Sequence, residues 1–367
     1  MNPIKSKLHD FINTTFEKDK NIHSAILSIS SGDGKFNWSG ASGIANKEKE
    51  ISITPETPFF IASITKMFTA AIIMKFYEEK KIDLDAPIVS FLPKTLVNGI
   101  HIYKSIDYTN SITIKHLLSH TSGIADYYLE KSQGGSNFFN YILNNPERTI
   151  TVDQTIAIAR DKLKANFKPG QKAKYSDTNY QLLGKIIESV ESKKLSRVFQ
   201  DNLFSPLGLK NTWFYKRSEP IEKLDMPVAE FYFNDQVISY NKPFESSWAD
   251  GGLISTGNDC LTFLSALLTG KIIDKKTTLP LMHQWRGIDF PLKYGFGTMY
   301  IELPIFMTMF RKLPSLIGHL GSTGAFLLYS KDLDLYIAGS INQANSSSKS
   351  IRLVYQLINI VKKTLPI

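Results

Sequence analysis

The sequence predicts an α+β fold, in which an antiparallel β-sheet is flanked by the N- and C-terminal helices and a mainly helical sub-domain is inserted. Amphipathic helical patterns lie at both ends of the chain, β-rich segments lie just inside them, and the middle shows helical periodicity. We therefore expect one domain over residues 1–367, with an α/β part at about 1–70 plus 226–367 and a helical part at about 71–225.

The first part of the chain supplies a helix and a hairpin. A stripe of apolar residues predicts a helix over 3–18. SAILSIS (24–30) and FNWSGASGIAN (36–46) are joined by a turn-rich segment, which favours an antiparallel hairpin. A long helical pattern then begins near Ser63. The apolar stripe consists of Ile4, Leu8, Phe11, Ile12 and Phe16.

The last part of the chain mirrors the first. AEFYFNDQVISY (229–240) alternates like a strand pair, and LISTGNDCLTFLSALLTG (253–270) contains a capped helix. TGAFLLYSKDLDLYIAGSIN (323–342) predicts two strands around a turn, and the final segment (348–367) predicts an amphipathic helix.

Composition excludes several classes of protein. Apolar content of 43% and charged content of 21% are ordinary for a soluble enzyme. The net charge is +9, but lysines are dispersed among acids, which argues against a nucleic-acid partner. The single cysteine, Cys260, excludes an intramolecular disulfide and a cysteine-rich metal site, and we expect it to be packed in a helix. We expect no metal or other cofactor.

The N-terminal segment has no continuous apolar stretch and no small-residue cleavage site, so it does not resemble a signal peptide. No segment is apolar for long enough to predict a membrane span. This pattern favours a cytoplasmic location. A chain whose leader had been removed would have the same pattern, so an extracellular location stays open, as does the oligomeric state.

Ser63 and Lys66 form the most informative motif. Residues three apart on a helix are neighbours, so the hydroxyl and the amine share one face. A nearby base can activate a serine hydroxyl as a nucleophile. The same spacing recurs at Ser239–Lys242, which runs into a proline, and at Ser346–Lys349, which we expect in a polar turn. Only Ser63 follows an apolar run and opens a long helical pattern.

Two further segments supply partners for Ser63. Tyr175 and Asp177 precede an apolar-periodic helix. The phenolate of a tyrosine is favoured beside a lysine, but on this segment alone a partly buried Tyr175 with Asp177 as a helix N-cap is the simpler interpretation. In His319-Leu320-Gly321-Ser322 the glycine lets the backbone approach a ligand, and the Ser322 N–H can join that of Ser63 in an oxyanion hole. A glycine-rich turn with an incidental histidine is the alternative.

These motifs, SxxK, YxD and HxG in that order, resemble those of the serine β-lactamase and penicillin-binding protein superfamily. The branch it resembles holds class C β-lactamases, D-alanyl-D-alanine carboxypeptidases and esterases. Residues 112–124, 167–188, 206–214 and 248–263 share the likeness, which runs from about residue 20 to the end.

The resemblance implies roles for particular residues. Ser63 would be the acylated nucleophile, with Lys66 and Tyr175 as the general acid/base pair, and which of the two is the base stays open. The N–H groups of Ser63 and Ser322 would form the oxyanion hole. Asp177 would contact the lysine or the substrate. His319 would stand at the head of the third motif, where it would add positive potential or steer protons. The other residues assigned to the substrate cleft are Leu320, Gly321, Tyr127, Tyr128 and Trp248. For the last three, packing in the core is an equally good interpretation.

Two departures from the family pattern bear on function. The second motif ends in Asp177 instead of Asn, and a carboxylate beside Lys66 favours the charged amine. Leu320 stands where a Thr or Ser hydroxyl would help to bind a substrate carboxylate. We therefore expect peptidase-like or esterase-like chemistry rather than efficient β-lactam hydrolysis.

Other enzyme classes lack their local signals, because HExxH, GxSxG and GxxxxGK[ST] are absent. His116 and His120 have metal-ligand spacing, but at a helix end a charged histidine is the simpler interpretation. Two hypotheses remain. The protein is a serine hydrolase of amide or ester bonds, acting on a small-molecule or peptide substrate, or it is a penicillin- or peptide-binding protein of the same fold that turns over poorly.

Overall fold

The computed structural model describes residues 3–19, 21–132, 134–308 and 310–363. Its α-helices are α1 (Pro3–Lys18), α2 (Thr65–Glu78), α3 (Lys94–Val97), α4 (Ile114–Leu118), α5 (Phe138–Asn144), α6 (Val152–Lys162), α7 (Asp177–Glu191), α8 (Leu195–Phe199), α9 (Ser205–Leu207), α10 (Gly257–Thr269), α11 (Leu279–Met282) and α12 (Ser347–Lys362). Helices α8 and α9 are joined by a π-helical turn, Gln200–Phe204.

The strands are short outside one large sheet. They are β1 (Ser24–Ser31), β2 (Asn37–Asn46), β3 (Ile51–Ser52), β4 (Phe59–Phe60), β5 (Ile102–Tyr103), β6 (Ile106–Asp107), β7 (Trp213–Phe214), β8 (Tyr232–Phe233), β9 (Gln236–Val237), β10 (Leu253–Ser255), β11 (Arg286–Asp289), β12 (Leu292–Tyr294), β13 (Met299–Ile301), β14 (Leu316–Leu320), β15 (Ala325–Ser330) and β16 (Leu335–Ser340).

Within the described residues the large sheet has nine strands in the order β11-β12-β13-β14-β15-β16-β1-β2-β3, and its paired strands are antiparallel. Strand β1, the first strand in the sequence, therefore lies beside β16, the last of the strands given above, with Ile26 opposite Ser340. This pairing explains why β-rich segments at the two ends of the sequence form one sheet.

Helices cover both faces of this sheet. Leu8 of α1 and Leu357 of α12 are fully buried against sheet residues that include Leu27 and Ile337. Ile26, the neighbour of Leu27 in β1, points to the other face because successive side chains of a strand alternate. On that second face lie α2, α7 and α10, where Phe68 stacks on Phe263. Each such apolar side chain contributes roughly 1.5–3 kcal/mol when it is fully buried.

The predicted α+β architecture is confirmed, as are the terminal helices, the hairpin of β1 and β2, and the two strands after residue 323. The helix of 253–270 is N-capped, because the Thr256 hydroxyl accepts from the Asp259 N–H, and Cys260 is buried within it. Helices α3–α9 lie within the segment 71–225, which also contains the short strands β5–β7. The division into two parts stays a prediction.

The structure corrects one local expectation. Ser346 and Lys349 lie at the start of α12 rather than in a polar turn, and the Lys349 ammonium bonds the Asp19 carboxylate at 2.7 Å. A polar first turn does not prevent a helix whose later residues carry a strong apolar stripe. Among the described residues no helix is both long and apolar enough to cross a lipid bilayer.

Candidate active site

Ser63 lies in a 3₁₀ turn, Ala62–Ile64, that leads directly into α2. The turn is anchored because the preceding strand, β4, pairs with β10, and Ala62 has a positive φ of 46°. Such a left-handed conformation is costly for alanine and persists only where surrounding contacts impose it. The half-buried Ser63 therefore has a position that the fold fixes.

Lys66 lies one turn further along α2 and is completely buried. Its ammonium donates to the Ser63 hydroxyl at 3.1 Å, to the Asp250 backbone carbonyl at 2.6 Å and to the Asp177 carboxylate. An ammonium group has three protons, so these three acceptors use all of its donors. The tetrad thus brings hydroxyl and amine together, as its spacing predicts.

Three buried carboxylates surround this lysine. Asp177 is the first residue of α7, and its N–H donates to the Asp126 carboxylate at 3.1 Å. The Asp250 carboxylate accepts from the Tyr127 hydroxyl at 2.7 Å and from the Trp248 N–H at 2.8 Å. Asp177 is therefore not the N-cap of α7; its side chain is used on Lys66 instead.

The charges of this group follow from burial and proximity. Burial lowers the pKa of Lys66, but the negative charges of Asp177 and Asp250 outweigh this effect, so the pKa of Lys66 lies above its ordinary value. Burial and the negative charge of Asp177 raise the pKa of Asp250 to about 6 and hold that of Asp126 well above its usual range. Four side chains, Lys66, Asp126, Asp177 and Asp250, thus form what we call the ionic side of the site.

Tyr175 faces the same lysine from the loop before α7, with its ring centroid 5.0 Å from the ammonium. Burial raises the pKa of the phenol, and although interactions with Lys66 and Ser63 oppose this rise, the pKa stays above its ordinary value. The expectation that Lys66 would favour the phenolate is therefore corrected, because desolvation outweighs the nearby positive charge.

His120 packs against the back of Tyr175, with ring centroids 4.5 Å apart. Its Nδ1 accepts from the Ser176 N–H at 3.2 Å, and its buried Nε2 has no hydrogen-bond partner among the described residues. Burial and the charge of Lys66 lower its pKa well below 6.5. The interpretation of His120 as a charged helix-end residue is therefore wrong. His116 is not its partner at a metal site, because the His116 Nδ1 accepts a hydrogen bond from the Thr113 N–H instead.

His319 lies behind Tyr175 as well. Its Nε2 contacts the Tyr294 hydroxyl at 3.1 Å, its Nδ1 contacts the Leu320 carbonyl at 2.7 Å, and burial lowers its pKa to about 3. It is therefore neutral at physiological pH and does not supply the positive potential that we expected. The aromatic side of the site consists of His120, Tyr175, Tyr294 and His319.

The third motif reaches Ser63 at the end of β14. A Cβ on Gly321 would lie 2.6 Å from the Ile61 carbonyl oxygen, so only glycine lets this backbone approach so closely. The Thr323 hydroxyl donates to the Phe60 carbonyl at 2.7 Å, which ties the same turn to the segment before Ser63. Ser63 and Ser322 consequently line one cavity, and their N–H groups stay a predicted oxyanion hole.

This cavity has a volume of about 340 Å³ and is mostly apolar. Of the residues that the sequence assigns to it, Ser63, Tyr175, Asp177, Leu320, Ser322, Tyr127 and Tyr128 line it. Among the described lining residues there are three carboxylates, of Asp177, Asp250 and Asp289, and there is no lysine, arginine or histidine. The apolar lining comes chiefly from Phe60, Leu129, Phe231, Phe244, Leu292 and Met299.

Trp248 does not line the cavity, contrary to our expectation. It packs behind the site, where a Cβ on Gly184 would lie 2.7 Å from its ring, and Lys185 lies 5.4 Å from its ring centroid. Two residues that the sequence did not single out are Asp126 and Asp250. Asp126 ends the segment HTSGIAD, and Asp250 lies in WADGG. An aspartate in each of these glycine-containing segments was the sequence feature that could have indicated a site residue.

The described residues contain no group of three or more His, Cys, Asp or Glu side chains arranged to hold a metal ion. The carboxylates of the ionic side instead face an ammonium and backbone N–H groups. What this arrangement can do is proton transfer around a hydroxyl at the wall of an apolar cavity.

Several known proteins are similar to this chain in sequence or in overall fold. The teichoic acid D-alanine hydrolase of Staphylococcus aureus is 27% identical over 302 residues, which are 80% of this chain and 68% of that protein. A D-stereospecific amidohydrolase from Streptomyces sp. has 25% identity and a TM-score of 0.73, covering 94% of this chain and 97% of its own. The octameric penicillin-binding protein homologue from Pyrococcus abyssi has 29% identity and a TM-score of 0.76, with 97% and 78% covered.

These similarities confirm the predicted superfamily, its fold and the prediction of a hydrolase. A model of the Beta-lactamase family matches residues 14–358, nearly the whole sequence. The chain belongs to the Beta-lactamase family.

Proposed function

We propose that the protein hydrolyses small amides or esters through an acyl-enzyme on Ser63, and that its substrates carry an ammonium or a neutral group rather than a carboxylate. The observation that carries the proposal is the Ser63 hydroxyl, 3.1 Å from the Lys66 ammonium, in a cavity with three carboxylates and no cationic side chain among its described lining residues. An anion would be repelled there, and the Lys66 ammonium beside Ser63 already donates to three protein acceptors.

The relatives support the same class of substrate. One is a teichoic acid D-alanine hydrolase and another is a D-stereospecific amidohydrolase. A D-aminoacyl ester or amide has a free ammonium, and its side chain would contact the apolar wall of Phe60, Phe231 and Phe244. We therefore propose D-aminoacyl esters and amides as the preferred substrates, ahead of β-lactams and peptides that end in a carboxylate.

The mechanism begins with both Lys66 and Tyr175 protonated. Lys66 keeps its proton and donates to the Ser63 oxygen, while the Ser63 proton moves to the Tyr175 oxygen as the Tyr175 proton moves towards the leaving group. The serine oxygen attacks the substrate carbonyl, and the N–H groups of Ser63 and Ser322 stabilise the oxyanion.

The bond to the leaving group then breaks, and Tyr175 donates its proton to that group. In the second half water attacks the ester of Ser63, one water proton moves to the Tyr175 oxygen as the Tyr175 proton moves to the Ser63 oxygen, and the acid is released. All groups thus regain their first protonation state.

Intact mass measurement tests the acyl-enzyme. The protein is incubated with the p-nitrophenyl ester of D-alanine and with a penicillin, and the mass is followed over time together with release of nitrophenol. We expect a transient adduct with the ester that is absent in Ser63→Ala. Ser239→Ala is the matched control, because it has the same spacing to a lysine but lies outside the cavity, and its buried hydroxyl has no partner among the described residues.

Other outcomes overturn parts of the proposal. A permanent adduct with both compounds would favour a penicillin- or peptide-binding protein with poor turnover. No adduct and no ester hydrolysis would remove the nucleophile assignment. A lower KM for the N-succinyl ester, which carries a carboxylate, than for the ester with a free ammonium would contradict the substrate class.

A further inference from the structure

An exposed apolar segment connects β13 and β14, away from the core. Its 3₁₀ turn, Ile305–Thr308, is followed closely by Phe310. Ile305, Phe306, Met307 and Phe310 have exposed fractions of 51%, 67%, 52% and 81%. Single exposed apolar residues are common on soluble proteins, whereas several that adjoin one another mark an interaction surface.

A second element extends this segment. Phe290, at the tip of the hairpin of β11 and β12, is 73% exposed. The hairpin and the segment line a common groove of about 850 Å³, to which Phe290 and Pro291 contribute from one side and Leu303, Pro304 and Ile305 from the other. We call the five side chains Phe290, Ile305, Phe306, Met307 and Phe310 the apolar rim.

Basic residues adjoin the apolar rim. Arg311 and Lys312 follow Phe310 in the sequence, both are exposed, and neither forms an ion pair within the part of the chain that the structure describes. Lys293 also lines the groove, where its ammonium lies 3.8 Å from the Glu302 carboxylate. Asp289 is the other acidic residue of the groove, so two cations at the rim are left without an acidic partner.

We propose that the apolar rim and its adjoining cations dock onto the surface of an anionic lipid bilayer, with the aromatic and aliphatic side chains entering the interface. Protruding apolar side chains flanked by lysine and arginine are typical of proteins that bind at the interface between lipid and water. Anionic headgroups attract adjoining basic residues, and the net charge of +9 adds to that attraction. A lipid surface therefore matches both the apolar and the charged parts of this region.

The position of the rim relative to the cavity gives the docking a consequence. Ile288, Asp289 and Leu292 line both the groove and the cavity of Ser63. Docking through the hairpin of β11 and β12 would hold the mouth of that cavity close to the lipid surface. The docking itself does not depend on the proposed hydrolysis, so the two can fail separately.

Vesicle flotation with the full chain tests the proposal. We expect binding to vesicles of phosphatidylglycerol and phosphatidylethanolamine, and at least tenfold less binding to vesicles of phosphatidylcholine. Phe306→Ser with Phe310→Ser should reduce the binding to anionic vesicles at least tenfold. Ile102→Ser with Ile106→Ser is the matched control, because both isoleucines are 54% exposed on the separate hairpin of β5 and β6, and it should bind like the unchanged protein.

A separate pair of variants tests the contribution of the basic residues to membrane binding. Arg311→Gln with Lys312→Gln should reduce binding to anionic vesicles about tenfold, and added salt should reduce binding of the unchanged protein. Circular dichroism checks that each variant is folded, independently of any hydrolysis. Absence of binding to anionic vesicles, or equal loss in the control variant, would overturn the proposal. A particle mass that falls to that of a monomer only in the Phe306 and Phe310 variant would assign the rim to a second copy of this chain instead.

Discussion

The ionic side and the aromatic side of the site meet at Ser63, and burial has a different outcome for Lys66 than for the aromatic groups. On the ionic side Lys66 stays charged, because a carboxylate and a carbonyl face its ammonium. On the aromatic side burial lowers the pKa of His120 and His319 and raises the pKa of Tyr175 and Tyr294, so these groups are neutral near pH 7.

This difference shows that desolvation decides the protonation of a buried group unless an opposite charge lies within contact distance. The ionic side should therefore be sensitive to the loss of either partner, because a lone charge would remain in the interior. The aromatic side should tolerate the loss of a single polar atom better. Each prediction below tests one part of this contrast.

Lys66→Ala should have the largest effect. It should reduce turnover by orders of magnitude, and it should also lower the free energy of unfolding by about 3–5 kcal/mol, because the carboxylate of Asp177 loses its counter-ion. Combining it with Asp177→Asn should recover part of that loss. Urea denaturation followed by circular dichroism gives the free energy for both single variants and the double variant.

Lys185→Ala is the control for this cycle. Its ammonium bonds the Asp153 carboxylate at 2.7 Å, but Asp153 is largely exposed, and surface ion pairs contribute about 0–1 kcal/mol. Equal losses of stability for Lys66→Ala and Lys185→Ala would show that the ionic side does not depend on the buried pair.

Tyr175→Phe should separate activity from stability. It should reduce kcat by about 10²–10⁴-fold, because the phenol can no longer exchange a proton with the leaving group. The free energy of unfolding should change by less than about 1.5 kcal/mol, since only one hydroxyl is removed. Tyr355→Phe is the control, because it removes from α12 a hydroxyl that donates to the Pro314 carbonyl at 3.2 Å, and it should leave kcat unchanged. Near-normal turnover of Tyr175→Phe would contradict the proton-transfer role.

Acid should destabilise the aromatic side. Burial lowers the pKa of His319 to about 3 and that of His120 well below 6.5, whereas a histidine in the unfolded chain has a pKa of about 6.5. Between these pH values the histidines bind protons only in the unfolded chain. The folded state therefore has its full stability above pH 6.5 and loses stability as the pH falls towards 3. Each histidine adds up to about 1.4 kcal/mol per pH unit to the slope.

His319→Asn should make that slope less steep. Measurement of the free energy of unfolding between pH 7 and pH 4 gives the slope for both proteins, even if the variant is less stable throughout. Parallel curves for the variant and the unchanged protein would mean that His319 is protonated in the folded state.

Leu320→Thr should have the smallest effect. Leu320 lines the cavity, and a hydroxyl there can donate to a substrate carboxylate, with a net contribution of about 1 kcal/mol. We expect KM for the N-succinyl ester to fall up to about tenfold, while KM for the ester without a carboxylate is the internal control. An equal change for both esters would place the new hydroxyl away from the substrate carboxylate.

The sequence predicted the elements that carry the site. Helical periodicity after Ser63 put Lys66 on the same face, and the loop before a helical pattern supplied Tyr175 and Asp177. Local patterns of this kind are legible because a helix fixes the spacing of its own residues. The departure at Asp177 also led to the correct direction for the pKa of Lys66.

Predictions were wrong where distant residues decided the environment. Nothing local to His319 or His120 shows that both are buried behind Tyr175 and are therefore neutral. The family resemblance suggested Trp248 as a wall of the cleft, with packing as the alternative, and the structure shows packing, because Gly184 of α7 lies against its ring. Asp126 and Asp250 became part of the site only through contacts with Asp177 and Lys66.

The sequence by itself determined the class of fold, the order of its elements and the pairing of Ser63 with Lys66, because these depend on periodicity and on residues close together in the chain. Only the tertiary structure decided which buried groups are charged, since the pKa of a buried group depends on charges and desolvation contributed by residues more than a hundred positions away, as with Lys66 and Asp177.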